Sequence, residues 1–305
     1  MKNKTKNAEL SFRETKCLLC ERPEDKVLYP ERLCEESFTG YSFSARRLRK
    51  CEHYRIVKCA KCSLVRSSPV IEENKLNELY AESEFIFSDE APYAADTYIN
   101  LLKKLIGKYS LKSKSLTEIG CSTGFFLEKA METGIEDLLG FEPSRQCREH
   151  TKERLKGMIV NDVFRPETLG DKKFDLACSF HTIDHLMDPK SFLTNIKNAL
   201  NPGGHALIVC HDVESWSAKL LGENSPIFDV EHIYLFSLNT ISMLFRRTGF
   251  RVVEAGTLSN TYPVGYWMRM MPVANKAANL LPDIIKKIPL GVKAGNLYIL
   301  GENEN

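Results

Sequence analysis

The residues best suited to bind a ligand lie in the segment LTEIGCSTGFFLEKA, at positions 116–130. An apolar strand there runs into a turn that contains Gly120 and Gly124, and a helix begins near Thr123. Glycines let the backbone turn tightly and approach a ligand closely, and the first amide groups of a helix are free to donate hydrogen bonds. These features predict a site for a nucleotide-like ligand.

Each of the first two predicted strands carries a carboxylate. Glu118 lies in the first strand, and Glu142 ends the second in the segment DLLGFEPS. A carboxylate at the end of the second strand can accept hydrogen bonds from both hydroxyls of a ribose. The pattern acidic-x-Gly-x-Ser-x-Gly departs from the dinucleotide fingerprint G-x-G-x-x-G in its glycine spacing and in its acidic residue. It therefore argues against NAD.

These residues resemble the first two motifs of class I S-adenosylmethionine-dependent methyltransferases. The resemblance implies that S-adenosylmethionine is the cofactor and that these residues contact it: Glu118, Gly120, Ser122, Gly124, Glu142 and Asp162. Glu118 is expected under the methionine part and Glu142 at the ribose. Ser122 stands where a third glycine is frequent. Asp162 follows the third strand, where related enzymes contact the adenine amino group, and Asn161 is an adjacent alternative.

Two C-x2-C pairs near the N-terminus predict a zinc site. Their members are Cys17, Cys20, Cys59 and Cys62. Each pair can bind one tetrahedral Zn²⁺ through two thiolates, and a closed four-thiolate site indicates a structural role. The 38 residues between the pairs exceed the ~15 to 20 of the compact motif. Other ligands therefore stay open: Cys34, Cys51 and His53. The alternative to a metal is that the thiols pack as small hydrophobic side chains.

Methyl transfer is an in-line displacement at a sulfonium carbon, and a hydroxyl or carbon acceptor must also lose a proton. Histidine is suited to take that proton near neutral pH. Candidate groups follow the fourth and fifth strands and precede YLFS: His181, Asp184, His185, His211, Asp212, Glu231 and His232. We predict His181, His185 and His232 as catalytic residues. A structural role near the next helix is the alternative for His185, and fixing its loop is the alternative for His232.

From Leu116 onward, strand and helix patterns alternate, which predicts an α/β fold with a doubly wound, mainly parallel Rossmann-like sheet. Later strands are predicted at 173–180, 205–212, 250–256 and 296–302, and helices before the sheet at 71–80 and 94–109. The predicted domains are a zinc-binding module at 13–68, a helical linker at 69–112, and a methyltransferase domain at 113–302 with an insertion at 257–295. The insertion is expected to cover the acceptor.

A four-cysteine module before a methyltransferase domain resembles the layout of sugar C-methyltransferases and bacterial surface-saccharide methyltransferases. The phrase CAKCSLVRSSPV, followed by a helix and a tyrosine, resembles their junction. The resemblance implies a zinc-ribbon-like module. It also implies a small-molecule or glycan acceptor, in particular a sugar or nucleotide-sugar hydroxyl or carbon, with a nucleotide-linked or lipid-linked sugar as substrate.

Composition bears on the partners. The chain has 42 Lys and Arg against 40 Asp and Glu, so no strong net charge attracts nucleic acid or a charged membrane. No run approaches the ~18 apolar residues of a membrane span, and we expect a cytoplasmic protein. One alternative function is an RNA methyltransferase whose zinc module and basic run at 45–50 hold nucleic acid. Another is a scaffold that binds S-adenosylmethionine without turnover. An apolar segment at 267–288 is either a lid or a lipid-contacting surface.

Overall fold

The structure is a computed structural model, and it describes residues 10–21, 25–34, 37–44, 52–84, 86, 91–270 and 282–304. The strands are β1 (Phe12–Arg13), β2 (Asp25–Tyr29), β3 (Ile56–Cys59), β4 (Val65–Ser67), β5 (Val70–Ile71), β6 (Ser115–Ile119), β7 (Asp137–Phe141), β8 (Ile159–Val160), β9 (Phe174–Phe180), β10 (Leu200–His211), β11 (Tyr234–Leu235), β12 (Phe250–Pro263) and β13 (Pro289–Asn303). The helices are α1 (Glu73–Ala81), α2 (Ala91–Tyr109), α3 (Phe125–Met131), α4 (Arg145–His150), α5 (Glu153–Lys156), α6 (Pro189–Ala199), α7 (Trp216–Leu221), α8 (Leu238–Arg247), α9 (Val264–Met270) and α10 (Asp283–Lys286).

The central sheet has seven strands in the order β12-β13-β10-β9-β6-β7-β8. Strands β6 to β10 pair in parallel, and β13 is antiparallel to both β10 and β12. The predicted Rossmann-like α/β fold is confirmed. The reversal of strand order between β6 and β9 brings the ends of these two strands together, which is where open α/β sheets bind their ligands.

Apolar side chains cover both faces of this sheet. Successive residues of β10 point to opposite faces, so Leu207 packs in one core with α2 and α3, and Ile208 packs in the other with α6 and α8. Local sequence signals define the ends of these helices. Asp188 caps α6 by accepting a hydrogen bond from the Ser191 amide at 2.9 Å, and Ser237 forms a capping box with Thr240 at the start of α8.

The N-terminal region contains a four-stranded antiparallel sheet in the order β11-β4-β3-β2. The edge strand β11 belongs to the segment that precedes α8, so the sheet combines residues from distant parts of the chain. Ser67 reinforces this junction, because its hydroxyl donates to the His232 carbonyl at 2.7 Å. The sequence pattern placed a separate module at 13–68 and did not anticipate this shared strand.

The two last strands are longer than predicted. β12 continues to Pro263 and β13 begins at Pro289, so they remain paired well beyond the predicted ends at 256 and 296. The segment that joins them therefore covers 264–288 rather than 257–295. Its beginning forms α9 and its end forms α10, and residues 271–281 lie outside the described part of the chain. The basic run at 45–50 and Cys51 also lie outside it.

Candidate active site

The predicted cofactor turn joins β6 to α3. Gly120, Ser122 and Gly124 all have left-handed backbone angles, with φ of 78°, 49° and 84°. A Cβ atom on Gly120 would lie 2.3 Å from the Thr182 hydroxyl oxygen, so only glycine fits there. A Cβ on Gly124 would lie 3.0 Å from the Leu155 side chain. The helix itself begins at Phe125, two residues later than expected.

Glu142 anchors this turn to the next loop. One carboxylate oxygen accepts a hydrogen bond from the Ser122 amide and the other from the Ser144 amide, each at 2.9 Å. Burial raises the pKa of Glu142, and the two amides oppose that rise. Each oxygen can accept a further hydrogen bond. The side chain is therefore held in place by the protein and still able to bind a diol.

Glu118 lies beneath the same turn. Its side chain is buried, and its Oε2 atom has no hydrogen-bond partner among the described residues. Burial first, and the nearby charge of Glu142 second, raise the pKa of Glu118 well above its usual range. A cation placed here would relieve both effects. The methionine part of S-adenosylmethionine carries such charge on its sulfonium and ammonium groups.

Asn161 and Asp162 follow β8 but point to different partners. Asn161 donates to the carbonyl oxygens of Glu142 and Ser144 at 2.7 and 3.1 Å, so its side chain supports the loop after β7. Asp162 is half-exposed; it accepts from the Val163 amide at 2.7 Å and pairs with Arg165 at 3.3 Å. Its carboxylate stands at the surface beside the loop that holds Glu142.

Four imidazole rings form a row at the carboxyl edge of the sheet. The ring centres of His181 and His211 are 4.5 Å apart, those of His211 and His232 are 4.5 Å apart, and those of His232 and His185 are 4.9 Å apart. His181 follows β9 with a left-handed φ of 52°. The three predicted catalytic histidines thus lie together. His211, which ends β10, lies between two of them.

Asp184 is the centre of this row. It is fully buried, and its Oδ2 atom lies 2.6 Å from Nδ1 of His211. Burial alone would raise the pKa of Asp184, but the imidazoles of His211, His185 and His232 hold it well below its usual range. The predicted catalytic set omitted Asp184 and His211. The sequence names both among the candidate groups, because they follow neighbouring parallel strands and such strands end at the same edge of the sheet.

The other three histidines of the row are fixed by other groups. Nδ1 of His232 lies 2.7 Å from the Ile227 carbonyl oxygen, and the His232 side chain is buried. The Tyr80 hydroxyl lies 2.9 Å from Nδ1 of His185. At the other end of the row, Nδ2 of Asn296 lies 3.1 Å from Nε2 of His181. Sequence patterns did not identify Tyr80 or Asn296 as residues of this site.

The four predicted metal ligands also come together. The sulfur atoms of Cys17, Cys20, Cys59 and Cys62 lie within 4.8 Å of one another, and those of Cys17 and Cys62 are 3.4 Å apart. A tetrahedral Zn²⁺ with bonds of ~2.3 Å needs sulfur atoms ~3.8 Å apart, so the cluster fits this ion. The other described candidates have different contacts, since Cys34 is exposed beside Glu52 and His53 lies against the Tyr54 carbonyl oxygen.

A family model described as "Methyltransferase domain" matches residues 91–255, which is more than half of the chain. The chain belongs to this methyltransferase family. It is an S-adenosylmethionine-dependent enzyme. The match begins at α2 and ends within β12, so it includes the turn after β6, the loop after β7 and histidines 181, 185, 211 and 232.

Curated relatives share part of this region. The tRNA U34 carboxymethyltransferase of Campylobacter jejuni subsp. doylei is 26% identical over 192 residues, which are 59% of this chain and 60% of that protein. The protein of the same name from Campylobacter hominis is 29% identical over 161 residues, 51% of this chain and 55% of that protein. The chain thus spans less than two thirds of the length of these relatives.

A solved structure of an S-adenosylmethionine-dependent methyltransferase from Aquifex aeolicus is 12% identical, with a TM-score of 0.46; the match covers 76% of this chain and 98% of that one. Among the described residues, no helix combines the length and apolar character needed to cross a membrane.

Proposed function

We propose that this methyltransferase transfers the methyl group of S-adenosylmethionine to a hydroxyl or carbon acid of a sugar-type acceptor. The observation that carries the proposal is the pair of His211 and the buried Asp184 at the edge of the sheet. Acceptors of this kind must lose a proton as the new bond forms, whereas a neutral amine is already nucleophilic. A partly buried imidazole paired with a buried carboxylate is suited to the first kind.

S-adenosylmethionine would lie across the turn at Gly120. Glu142 binds the ribose hydroxyls with the lone pairs that its two backbone partners leave available. Glu118 faces the positively charged methionine part, where its unpartnered Oε2 atom gains an interaction. Ser122 contributes through its amide, which fixes Glu142. Asp162 is proposed to approach the adenine amino group at the surface.

His211 is proposed as the base. Its Nδ1–H donates to Asp184, so the second nitrogen, Nε2, carries a lone pair that can accept a proton. The carboxylate then stabilises the imidazolium, the same role that the aspartate of a catalytic triad has. His181 lies 4.5 Å away, ring centre to ring centre, and is proposed to orient the acceptor. His232 packs against the ring of His211, with ring centres 4.5 Å apart, and Nε2 of His185 lies 3.7 Å from Oδ1 of Asp184.

Among the described residues, the only buried lysine or arginine is Arg66, and it is paired with Asp25. The described part of the chain thus offers no buried cationic side chain for a carboxylate on the donor group, which favours methyl transfer over carboxymethyl transfer.

We further propose that Cys17, Cys20, Cys59 and Cys62 bind one structural Zn²⁺. Four thiolates close the coordination sphere, so the ion has no open position for catalysis. The support is the convergence of all four sulfur atoms. The ion would join the segment at 17–20 to the turn between β3 and β4.

A second candidate acceptor is tRNA, which the names of the curated relatives favour. One experiment separates the two acceptors. The purified protein is incubated with methyl-labelled S-adenosylmethionine and either a panel of nucleotide sugars or total tRNA. We expect label in a nucleotide sugar and none in tRNA; label in tRNA alone would replace the sugar proposal with the RNA one.

The same assay tests the base. We expect His211→Gln to lower the rate of methyl transfer and to leave S-adenosylmethionine affinity unchanged, because His211 does not touch the cofactor turn. The matched control is His150→Gln, a histidine on the exposed surface of α4. Saturable cofactor binding without release of S-adenosylhomocysteine, with every acceptor tried, would instead support the non-catalytic scaffold.

A further inference from the structure

Two buried polar atoms within the row of histidines have no hydrogen-bond partner among the described residues. They are Oδ1 of Asp184 and Nε2 of His185. They lie 3.7 Å apart, which is too long for a hydrogen bond between them. The hydrogen bond between His211 and Asp184 does not explain them, because Asp184 contacts His211 through its other oxygen. Buried polar atoms are nearly always satisfied, so these two are expected to have a partner such as a water molecule or an ion.

The surrounding hydrogen bonds define which ring nitrogens carry lone pairs. The Ile227 carbonyl can only accept, so Nδ1 of His232 carries the hydrogen and Nε2 of the neutral ring carries the lone pair. We assign the single hydrogen of the Tyr80 hydroxyl to the Glu231 carbonyl, 3.3 Å away, because that carbonyl can only accept; the hydroxyl oxygen then accepts from Nδ1 of His185 at 2.9 Å. Nε2 of His185 then also carries a lone pair, and it faces the Asp184 carboxylate.

This arrangement resembles a set of metal ligands with their supporting partners. Ligand atoms of Asp184, His185 and His232 all lie within 4.8 Å of one another. In metal sites, a ligating histidine usually donates its other N–H to an oxygen atom, which fixes the ring. Both histidines have such an oxygen, from Ile227 and from Tyr80.

The geometry points to a second metal site, in which Asp184, His185 and His232 bind a divalent transition-metal ion. Two imidazole nitrogens and one carboxylate oxygen form a donor set that suits Zn²⁺, Co²⁺ or Fe²⁺. Bonds of ~2.0 to 2.1 Å in a tetrahedral site put ligand atoms ~3.3 Å apart. The 3.7 Å between Asp184 and His185 needs only a small side-chain shift to reach that value.

The other nearby triad is less suitable. It consists of His181, Asp184 and His211, but a hydrogen-bonded proton already lies between Asp184 and His211 at 2.6 Å. The proposed site uses the other oxygen of Asp184. His211 and the metal ion therefore share one carboxylate without competing for the same atom. Three protein ligands leave at least one coordination position for water or a substrate oxygen.

Metal stoichiometry tests the proposal. The full chain is saturated with Zn²⁺, desalted, and analysed for bound metal. We expect two equivalents in the wild type and one in His185→Gln, in which the four-cysteine site keeps its ion. His150→Gln, on the exposed surface, is the control and retains two equivalents.

Spectroscopy with Co²⁺ identifies each site in the wild type, so the result does not depend on a variant that folds. We expect one equivalent with sulfur-to-cobalt charge-transfer absorption and a second with only weak d–d bands. Saturation at one thiolate-bound equivalent, unchanged in His185→Gln, would overturn the second site and indicate a shared proton between Asp184 and His185. That result would not affect the proposed acceptor or the proposed role of His211 with Asp184, because neither depends on the ion.

Discussion

Replacement of Glu142 tests the cofactor site most directly. Each of its carboxylate oxygens already accepts one backbone amide, at 2.9 Å, and has one lone pair for a ribose hydroxyl. In Glu142→Gln, one oxygen becomes an NH₂ group that can only donate, so at least one charge-assisted hydrogen bond to the ribose is lost. Such a loss is about 1 to 3 kcal/mol, which corresponds to ~5- to 150-fold weaker binding.

Titration calorimetry with S-adenosylhomocysteine measures this change. The matched control is Glu149→Gln on the exposed face of α4, which should bind like the wild type. The amide group introduced by Glu142→Gln also disturbs the Ser122 or Ser144 amide, so the variant can weaken binding through the turn rather than through the ribose. A second ligand distinguishes these two effects.

That ligand is the analogue of S-adenosylhomocysteine that lacks a ribose hydroxyl. If Glu142 binds the diol, removing the hydroxyl weakens binding to the wild type but costs little more in the variant, because the interaction is already lost. If the two penalties simply add, the ribose assignment of Glu142 is refuted. The outcome does not depend on the identity of the acceptor.

Three further predictions concern other parts of the chain. Because burial raises the pKa of Glu118 and a bound cation favours its ionised form, cofactor binding should release a proton and strengthen as pH rises; calorimetry that gives the same enthalpy in buffers of different ionisation enthalpy would contradict this. Chelation of zinc, or Cys59→Ser, should unfold the β2–β3–β4 region while much of the central sheet persists, as hydrogen exchange can show; full retention of protection there would disprove it. Hydrogen bonds from Lys108, Tyr298 and Tyr109 lower the pKa of Glu254 to about 2. Its stabilisation is therefore present above its unfolded pKa of ~4.3 and lost as pH falls towards the folded value; the difference in melting temperature between wild type and Glu254→Gln should shrink from about pH 6 to about pH 3, and a constant difference would argue against it.

Local patterns predicted much of the fold. The cap at Ser237, the proline and cap at the start of α6, and the glycine turn after β6 are properties of a few adjacent residues, so the sequence displays them. Burial of strands β9 and β10 on both faces likewise gives continuous apolar runs. These features placed Glu118 in the first strand of the central sheet and Glu142 directly after the second, where the structure has them.

The extended hairpin was missed because its residue types hide its burial pattern. From 257 to 261 the positions of β12 run exposed, buried, half-buried, buried, exposed. The two buried residues are Leu258 and the polar Asn260, so the sequence shows no apolar alternation there. Backbone pairing with β13, such as Thr261 with Gly291, defines it instead.

Sequence patterns brought some distant residues to the same edge of the sheet but did not give their contacts. Asp184 and His211 were both expected after neighbouring strands, but their hydrogen bond across 27 residues depends on the parallel register of β9 and β10. The pairing of β4 with β11 joins residues still farther apart, including Arg66 with Tyr234. No local propensity of either strand specifies its partner, so such pairs follow only from the folded arrangement.

The shared strand gives the N-terminal region a direct link to the histidines. Ser67, at the end of β4, donates its hydroxyl to the His232 carbonyl and its amide to the Ile233 carbonyl, at 2.7 and 2.8 Å. Glu118 and Glu142, by contrast, are held by the turn after β6 and the loop after β7. Loss of zinc should therefore disturb the base cluster more than the cofactor site. In Cys59→Ser we expect a lower turnover rate with smaller change in cofactor affinity, and the reverse pattern would exclude this route of coupling.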